Sequence, residues 1–221
     1  MRPRKKKYCG ERMEHCSDIW LRDCAALKEH LEKLNGPLEV ELGCGKGTFI
    51  CTLAQRRPEV NFIAIEKVPD VLVTAMERAE ELGIPNLRFF CGDAKSMEEY
   101  FAPESLDRLY INFCDPWHKR KHYKRRLTYR DFLQKYKRVL KTGGEIQFKT
   151  DNEPLFRFSV PEFEAVGFVT RSRTDDLHAL GDPENIVTEY EANFSAKGFA
   201  IHRLIVEKPV ETGEPTGDLK A

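Results

Sequence analysis

The residues best suited to chemistry begin at Glu41-x-Gly43-x-Gly45-x-Gly47, three alternating glycines behind an acid. Glycine lets a backbone turn tightly and approach a ligand that a Cβ would exclude. A dinucleotide fingerprint would be G-x-G-x-x-G, and Thr48 stands where its third glycine belongs. The spacing present, with its preceding acid, suits a cationic or zwitterionic nucleoside. Two more acids occupy comparable places further on. Glu66 sits where a carboxylate can accept both ribose hydroxyls, and Asp93 where one can accept from an adenine amino group. A single acid at such a place is more often an N-cap or a solvated residue. Three acids after three successive strands together point to S-adenosylmethionine.

These residues need a scaffold, and the hydrophobic pattern supplies one. Leu38–Leu42, Asn61–Ile65, Leu87–Cys91, Leu106–Phe113, Glu145–Thr150, Phe168–Arg173 and Ala200–Glu207 have the pattern of strands. Helical spacing follows Thr48 as far as Arg56. A second helix opens at Pro69 and closes at Gly83. Thr128 and Asp131 suggest a capping box for a third, burying Phe132, Tyr136 and Leu140 and ending at Gly143-Gly144. Ile19, Trp20, Ala25, Leu27, Leu31 and Leu34 predict one helix behind a basic arm within residues 1–36. Strands alternating with helices imply an α/β fold: one domain with a doubly wound, mostly parallel seven-stranded sheet and helices on both faces. The core would span 37–208, and the Pro-, Gly-, Glu- and Thr-rich stretch 209–221 is expected to be disordered. Ligands of such sheets bind beyond the carboxyl ends of the strands, where the glycines and acids collect.

The chain has 221 residues, with 36 Lys and Arg against 36 Asp and Glu. Zero net charge argues at first against a nucleic-acid partner. The charge is unevenly spread, however. Residues 1–7 carry +5, residues 117–130 carry +7 with no acid, and the rest must carry −12. Residues 174–193 hold six acids and no Lys or Arg. Two concentrated basic clusters on an acidic protein resemble a footprint for a polyanion. No apolar run is long enough to cross a bilayer, and no secretory signal follows the basic start. The seven cysteines are scattered, with no C-x-x-C pair, which predicts reduced thiols in the cytoplasm and no metal site.

The fourth strand ends in Ile111-Asn-Phe-Cys-Asp-Pro-Trp-His-Lys-Arg-Lys-His-Tyr-Lys-Arg-Arg-Leu127. This run, with Glu41-Leu-Gly-Cys-Gly-Lys-Gly47 before it and Lys149-Thr-Asp151 and Thr188-Glu-Tyr-Glu191 after it, resembles the bacterial tRNA (guanine-N7)-methyltransferase family. The match runs from about Glu39 to Glu207. The family usually has a small residue such as Ser or Pro where Cys114 stands, and often Pro at His118; neither departure removes a charged residue. The resemblance implies a Rossmann-like class I methyltransferase fold and tRNA as partner, with transfer from S-adenosylmethionine to a guanosine of the variable loop (position 46 in standard tRNA numbering). It implies that Glu41, Glu66, Asp93 and Asp115, with the loop of Gly43, Gly45 and Gly47, hold the cofactor, and that Asp115 is catalytic. It implies that Lys119, Asp151, Thr188, Glu189, Tyr190 and Glu191 hold the guanosine. Lys121, His122, Tyr123, Lys124, Arg125 and Arg126 would lie against the RNA.

Elementary chemistry agrees. Guanine N7 has an exposed lone pair and no proton to lose, so alignment and a carboxylate near the developing positive charge suffice. Asp115 suits that role. Guanine also offers N1–H and the N2 amino group as donors, and Asp151 or Glu191 could accept both. The simplest alternatives are a turn at Asp115-Pro-Trp117 and a plain helix start at Thr188 to Glu191. Rival functions are an exocyclic-amine methyltransferase, an inert RNA-binding protein that keeps the fold and, last, a nicotinamide-dependent dehydrogenase. The sequence leaves monomer or homodimer open.

Overall fold

The computed structural model describes residues 9–210; the basic arm at 1–8 and the stretch 211–221 lie outside the described residues. Two short helices, α1 (Cys9–His15) and α2 (Cys24–Glu32), flank the two-residue strand β1 (Trp20–Leu21). Next come β2 (Leu38–Leu42), α3 (Thr48–Arg56), β3 (Asn61–Glu66), α4 (Pro69–Glu81) and β4 (Leu87–Cys91). The one-turn helix α5 (Met97–Tyr100) leads to β5 (Leu106–Asn112), α6 (Arg130–Val139) and β6 (Leu140–Thr150). The last elements are α7 (Glu153–Ala165), β7 (Val169–Thr174), α8 (Glu189–Ser195) and β8 (His202–Glu207).

All strands join one sheet in the order β1-β4-β3-β2-β5-β6-β8-β7. The first six in that order run parallel, and β8 enters antiparallel to both β6 and β7. The seven predicted strands are present, and β1 adds an eighth at the edge. From β2 the chain winds outward through β3 and β4, then returns to start β5 on the other side of β2. The strand order therefore reverses between β2 and β5, and a crevice opens there at their carboxyl ends.

The strands' alternation divides the core in two. Ile63 and Ile65 pack with Leu27, Leu133 and Phe156 of α2, α6 and α7, while Phe62 and Ala64 pack with Met13, Ile50 and Met76 of α1, α3 and α4. Helices thus cover both faces.

Three local expectations are corrected. Ile19 and Trp20 are not part of a helix with Leu27. They pack on the α1 and α4 side, whereas Leu27, Leu31 and Leu34 pack on the opposite side, so their helix-like spacing joins two faces. The Thr128 box does not form: the Thr128 hydroxyl lies 2.6 Å from Ser159 Oγ, and Tyr129 takes the N-cap position. Glu162 of α7 instead accepts the Arg130 N–H. Helix α6 stops at Val139, because Leu140 already pairs with Leu106 and Gly143-Gly144 lie in a bulge of β6. Helix α7 fills the interval between Asp151 and Phe168 with Asn152 as its cap, an element the reading above does not include.

Candidate active site

Strand β2 is buried throughout and delivers Glu41, 2% exposed, directly beneath the glycine loop. Gly43, Gly45 and Gly47 all have positive φ, +73°, +57° and +79°. Their surroundings differ. A Cβ on Gly47 would meet Ala75 Cβ at 2.7 Å, so this glycine lets α3 and α4 pack closely. A Cβ on Gly43 or Gly45 would meet nothing within 4 Å, so those two border open space. The loop is pinned to β3, since the N–H groups of Gly43 and Cys44 both donate to the Ile65 carbonyl. Glu66 accepts from Gly45 N at 3.2 Å and from Val68 N at 3.0 Å. Asp93 caps the turn after β4 by accepting from Lys95 N, and pairs with Lys67 Nζ at 2.6 Å. Partial burial raises the Asp93 pKa, but these two partners outweigh it and hold the carboxyl below the usual range.

Two cavities meet over this loop. The first, about 490 Å³, is lined by Glu66, Asp93, Ala94, Asp115, Trp117 and Phe132 among others. The second, about 380 Å³, takes in Glu41, Gly45, Lys46, Thr48, Thr188 and Tyr190. Gly43, Asn112 and Phe113 line both. The chain beyond β5 is held in an uncommon conformation there: Phe113 has φ +51° and Trp117 φ +44°. Left-handed geometry in a large aromatic residue is costly and is kept where the surroundings impose it, often at functional sites. Between the two stands Asp115, exposed, with no hydrogen bond or ion pair to its carboxylate among the described residues.

Glu41 is a buried acid left incompletely satisfied. It accepts one bond, from Asn112 Nδ2 at 2.9 Å, and its Oε2 is buried with no partner. Burial pushes its pKa up to about 7, against the opposing effects of Asn112 and the nearby Lys149.

The basic segment after Trp117 forms a 3-10 turn, Arg120–Arg125, at the rim of the first cavity. Lys121, Lys124 and Arg125 are exposed, and Arg125 lies 5.0 Å over the Trp117 ring while His122 meets that ring edge-on. Lys119, Arg120, Lys121, Lys124 and Arg125 form no ion pair among the described residues. Two of the seven cations are committed elsewhere. Arg126, expected to touch RNA, is 3% exposed; it donates to the Pro116 carbonyl and lies 3.7 Å over Tyr123 and 4.3 Å over Phe158. It holds the Asp115 turn and is removed from the RNA-facing set, and Tyr123 is drawn inward with it. Arg130 is paired with Glu162.

Thr188 caps α8 by accepting from Glu191 N at 3.0 Å, and Tyr190 packs against Phe113 with ring centres 4.9 Å apart. Asp151 interacts with the Tyr190 hydroxyl. Glu189 pairs with Arg78 of α4. Thr188, Glu189 and Tyr190 line the second cavity, whereas Lys119 and Asp151 border neither.

Glu191 requires a correction. It is fully buried and faces inward, accepting from Lys149 Nζ at 2.8 Å and from Asn185 Nδ2 at 2.8 Å, with His178 Nε2 2.9 Å away. Burial would raise its pKa, but Lys149, Asn185 and His178 bring it below the usual value. A carboxylate so engaged cannot also read a guanine edge. Lys149 likewise has no exposed side-chain surface and donates to Asn185 and the Ile186 carbonyl as well. Lys149 and Asn112 carry no individual role within the motifs that contain them, and the sequence shows no partner for His178. The strand alternation places Lys149 on the same side as Gln147, so only the covering segment before α8 reveals that it is buried.

No group of three or more His, Cys, Asp or Glu side chains that could hold a metal ion occurs among the described residues. Nor is any helix there long and apolar enough to cross a membrane.

Residues 35–204 match the family model described as a putative methyltransferase. The chain is 42% identical to the tRNA (guanine-N(7)-)-methyltransferase of Halalkalibacterium halodurans, over 99% of this chain and 100% of that one. It is 49% identical to the Brevibacillus brevis protein of the same name, over 77% of this chain and 80% of that one. Among solved structures, an antibiotic-related methyltransferase superposes with a TM-score of 0.60 at 18% identity, covering 85% of this chain and 94% of that one. The 16S rRNA methyltransferase KamB superposes with a TM-score of 0.61 at 13% identity, covering 82% and 93%. These structural likenesses establish a Rossmann-like methyltransferase fold.

Proposed function

The chain belongs to the tRNA (guanine-N7)-methyltransferase family, and from that premise we propose that it methylates N7 of a guanosine in the variable loop of tRNA. The unpartnered Asp115 carboxylate, standing between two left-handed residues where the strand order reverses, carries this reading.

The cavities fit S-adenosylmethionine as methyl donor. Glu66 and Asp93 offer acceptors at one end, Gly43 and Gly45 leave open space in the middle, and the buried, unpartnered Glu41 Oε2 calls for a donor at the other. When bound, that cofactor supplies an electrophilic methyl group on a sulfonium. Everything else falls to the chain. Guanine N7 needs no proton removed, so the protein has to align the base and accommodate the positive charge that methylation puts on the ring. Asp115 offers a full negative charge at the cavity edge for that purpose. With Glu191 engaged by Lys149, Asp151 is the remaining carboxylate of the expected pair for the N1–H and N2 donors, beside Tyr190. Lys119, Arg120, Lys121, Lys124 and Arg125 would meet phosphates, which positions the RNA without reading its sequence. All seven cysteines are free, which suits a reducing cytoplasm.

Incubating the protein with labelled S-adenosylmethionine and unmodified tRNA, then digesting to nucleosides, tests the proposal. Label in 7-methylguanosine is the expected result. RNA binding with no methyl transfer would instead indicate an inert protein that keeps the fold.

A further inference from the structure

A row of aromatic rings leaves the second cavity along α8. Phe113, which lines both cavities, packs against Tyr190 with ring centres 4.9 Å apart. Tyr190 stacks on Phe194 at 4.4 Å, and Phe194 meets Phe199 at 5.6 Å. Tyr190 is 44% exposed and Phe199 51%, and contiguous exposed rings of this kind mark interaction surfaces. The far end is fixed by the backbone. Gly198, with φ +82°, reverses the chain after α8, and the Phe199 N–H donates to the Phe194 carbonyl at 3.1 Å, which sets the two rings together. The Lys197 ammonium lies 5.0 Å from the centre of the Phe194 ring and forms no ion pair among the described residues. Nor does the acidic segment forbid a polyanion there. Asp175, Asp182, Glu189 and Glu191 pair with Arg173, Arg203, Arg78 and Lys149, and Asp176 accepts from the N–H groups of His178 and Ala179. Of the six acids in that segment, only the Glu184 carboxylate has no partner among the described residues.

A base methylated at N7 while a carboxylate reads its N1–H and N2 donors is held by two edges and has to leave its stack. The neighbouring nucleotide then loses a stacking face just outside the rim, where Tyr190 begins the row. Aromatic side chains take up such faces in unpaired RNA. A second copy of this chain fits less well. Three rings at most about half exposed offer on the order of 200–300 Å², against about 800 Å² per partner in a stable interface. We propose that Phe194 and Phe199, with Lys197 for the adjoining phosphate, form a stacking shelf for the nucleotide next to the target guanosine. This inference rests on the guanosine reading above.

Equilibrium binding of the full chain to tRNA transcripts tests it. Phe199→Ala removes an exposed ring, so its melting temperature and S-adenosylhomocysteine affinity should match the wild type. A stacked base corresponds to about five- to hundredfold in affinity. Phe199→Ala should weaken tRNA binding within that range, and Phe199→Trp should retain it. The slope of log affinity against log salt should stay the same, because no phosphate contact is lost. Transcripts with an abasic residue on the 5′ or the 3′ side of the guanosine locate the stack. One of them should bind the wild type as weakly as Phe199→Ala binds the intact transcript, and combining the two changes should add nothing. Unchanged tRNA affinity in Phe199→Ala would overturn the shelf, as would losses that add for both abasic transcripts. A variant that changes in sedimentation rather than in tRNA affinity would overturn it too, and assign the face to a contact between copies. Formation of 7-methylguanosine by the wild type on the intact transcript reports separately on the guanosine reading; its absence would remove that reading and the shelf with it.

Discussion

Two buried carboxylates share the neighbourhood of Lys149 and have opposite fates. Glu191, brought in from α8, accepts from Lys149 and Asn185 and lies beside His178, and its pKa falls. Glu41, at the end of β2, receives one amide bond and has its pKa pushed up to about 7. The first is a joint that fastens the segment before α8 to β6, and the protein satisfies it alone. The second is left wanting where two cavities meet. A buried charge that the fold completes is structural, whereas one that it leaves incomplete marks where a ligand must finish the job. The basic run divides in the same way: Arg126 and Arg130 are consumed by the fold, and the five unpaired cations face outward.

The largest effect expected from this contrast is on stability. Lys149→Met would leave Glu191 buried without its cation, a loss of about 3–5 kcal/mol. That corresponds to a melting temperature lowered by roughly 6–20 °C for a chain of this size. Glu41→Gln, melted without ligand at pH 8, should be neutral or stabilising, because it removes a charge the fold does not pair. Thermal melts that reverse this order would break the comparison. Next in size is catalysis. Asp115→Ala should lower turnover by about 10²–10³, as for loss of a stabilising group at a developing charge. Affinity for S-adenosylhomocysteine should barely change, and equal losses in both would make Asp115 a cofactor ligand only.

A smaller effect follows from pH. The native pKa of Glu41, about 7, lies above its ordinary value of 4.5. Its contribution to the ligand-free fold is therefore fully present below the ordinary value and lost as pH rises through about 7. A cationic ligand needs the ionised form, so affinity for S-adenosylhomocysteine should rise about tenfold between pH 6 and pH 8. Glu41→Gln should flatten that part of the titration. The smallest effect concerns salt. Lys121→Ala should reduce the slope of log affinity for tRNA against log salt by about 0.7–0.9. Arg126→Ala should leave the slope alone and lower the melting temperature instead; a loss of slope there would return Arg126 to the RNA interface.

The parts of the site legible in the sequence are those made locally. The glycine loop, Glu66, Asp93 and Asp115 each follow a strand recognisable as an alternating or apolar run, and their common location follows from the parallel topology. Thr188 also caps α8 as its spacing predicts. What was not legible depends on distant packing. Lys149 and Glu191 are 42 residues apart, and Glu41 and Asn112 are 71 apart, so no local pattern announces either pair. Arg126 is indistinguishable from its neighbours in a basic run until Tyr123 and Phe158 close around it. The Thr128 box failed for the same reason: Ser159 and Glu162, from α7, bind the groups that local capping would have used. Even the zero net charge is a sum over regions of opposite sign.

The most direct test is to map the methyl group. A tRNA transcript with guanosine in its variable loop, incubated with the protein and S-adenosylmethionine, should gain one 7-methylguanosine at that position by mass spectrometry of its fragments. A transcript with adenosine there should gain none. Methylation at an exocyclic amine, methylation elsewhere in the transcript, or equal labelling of both transcripts would contradict the account.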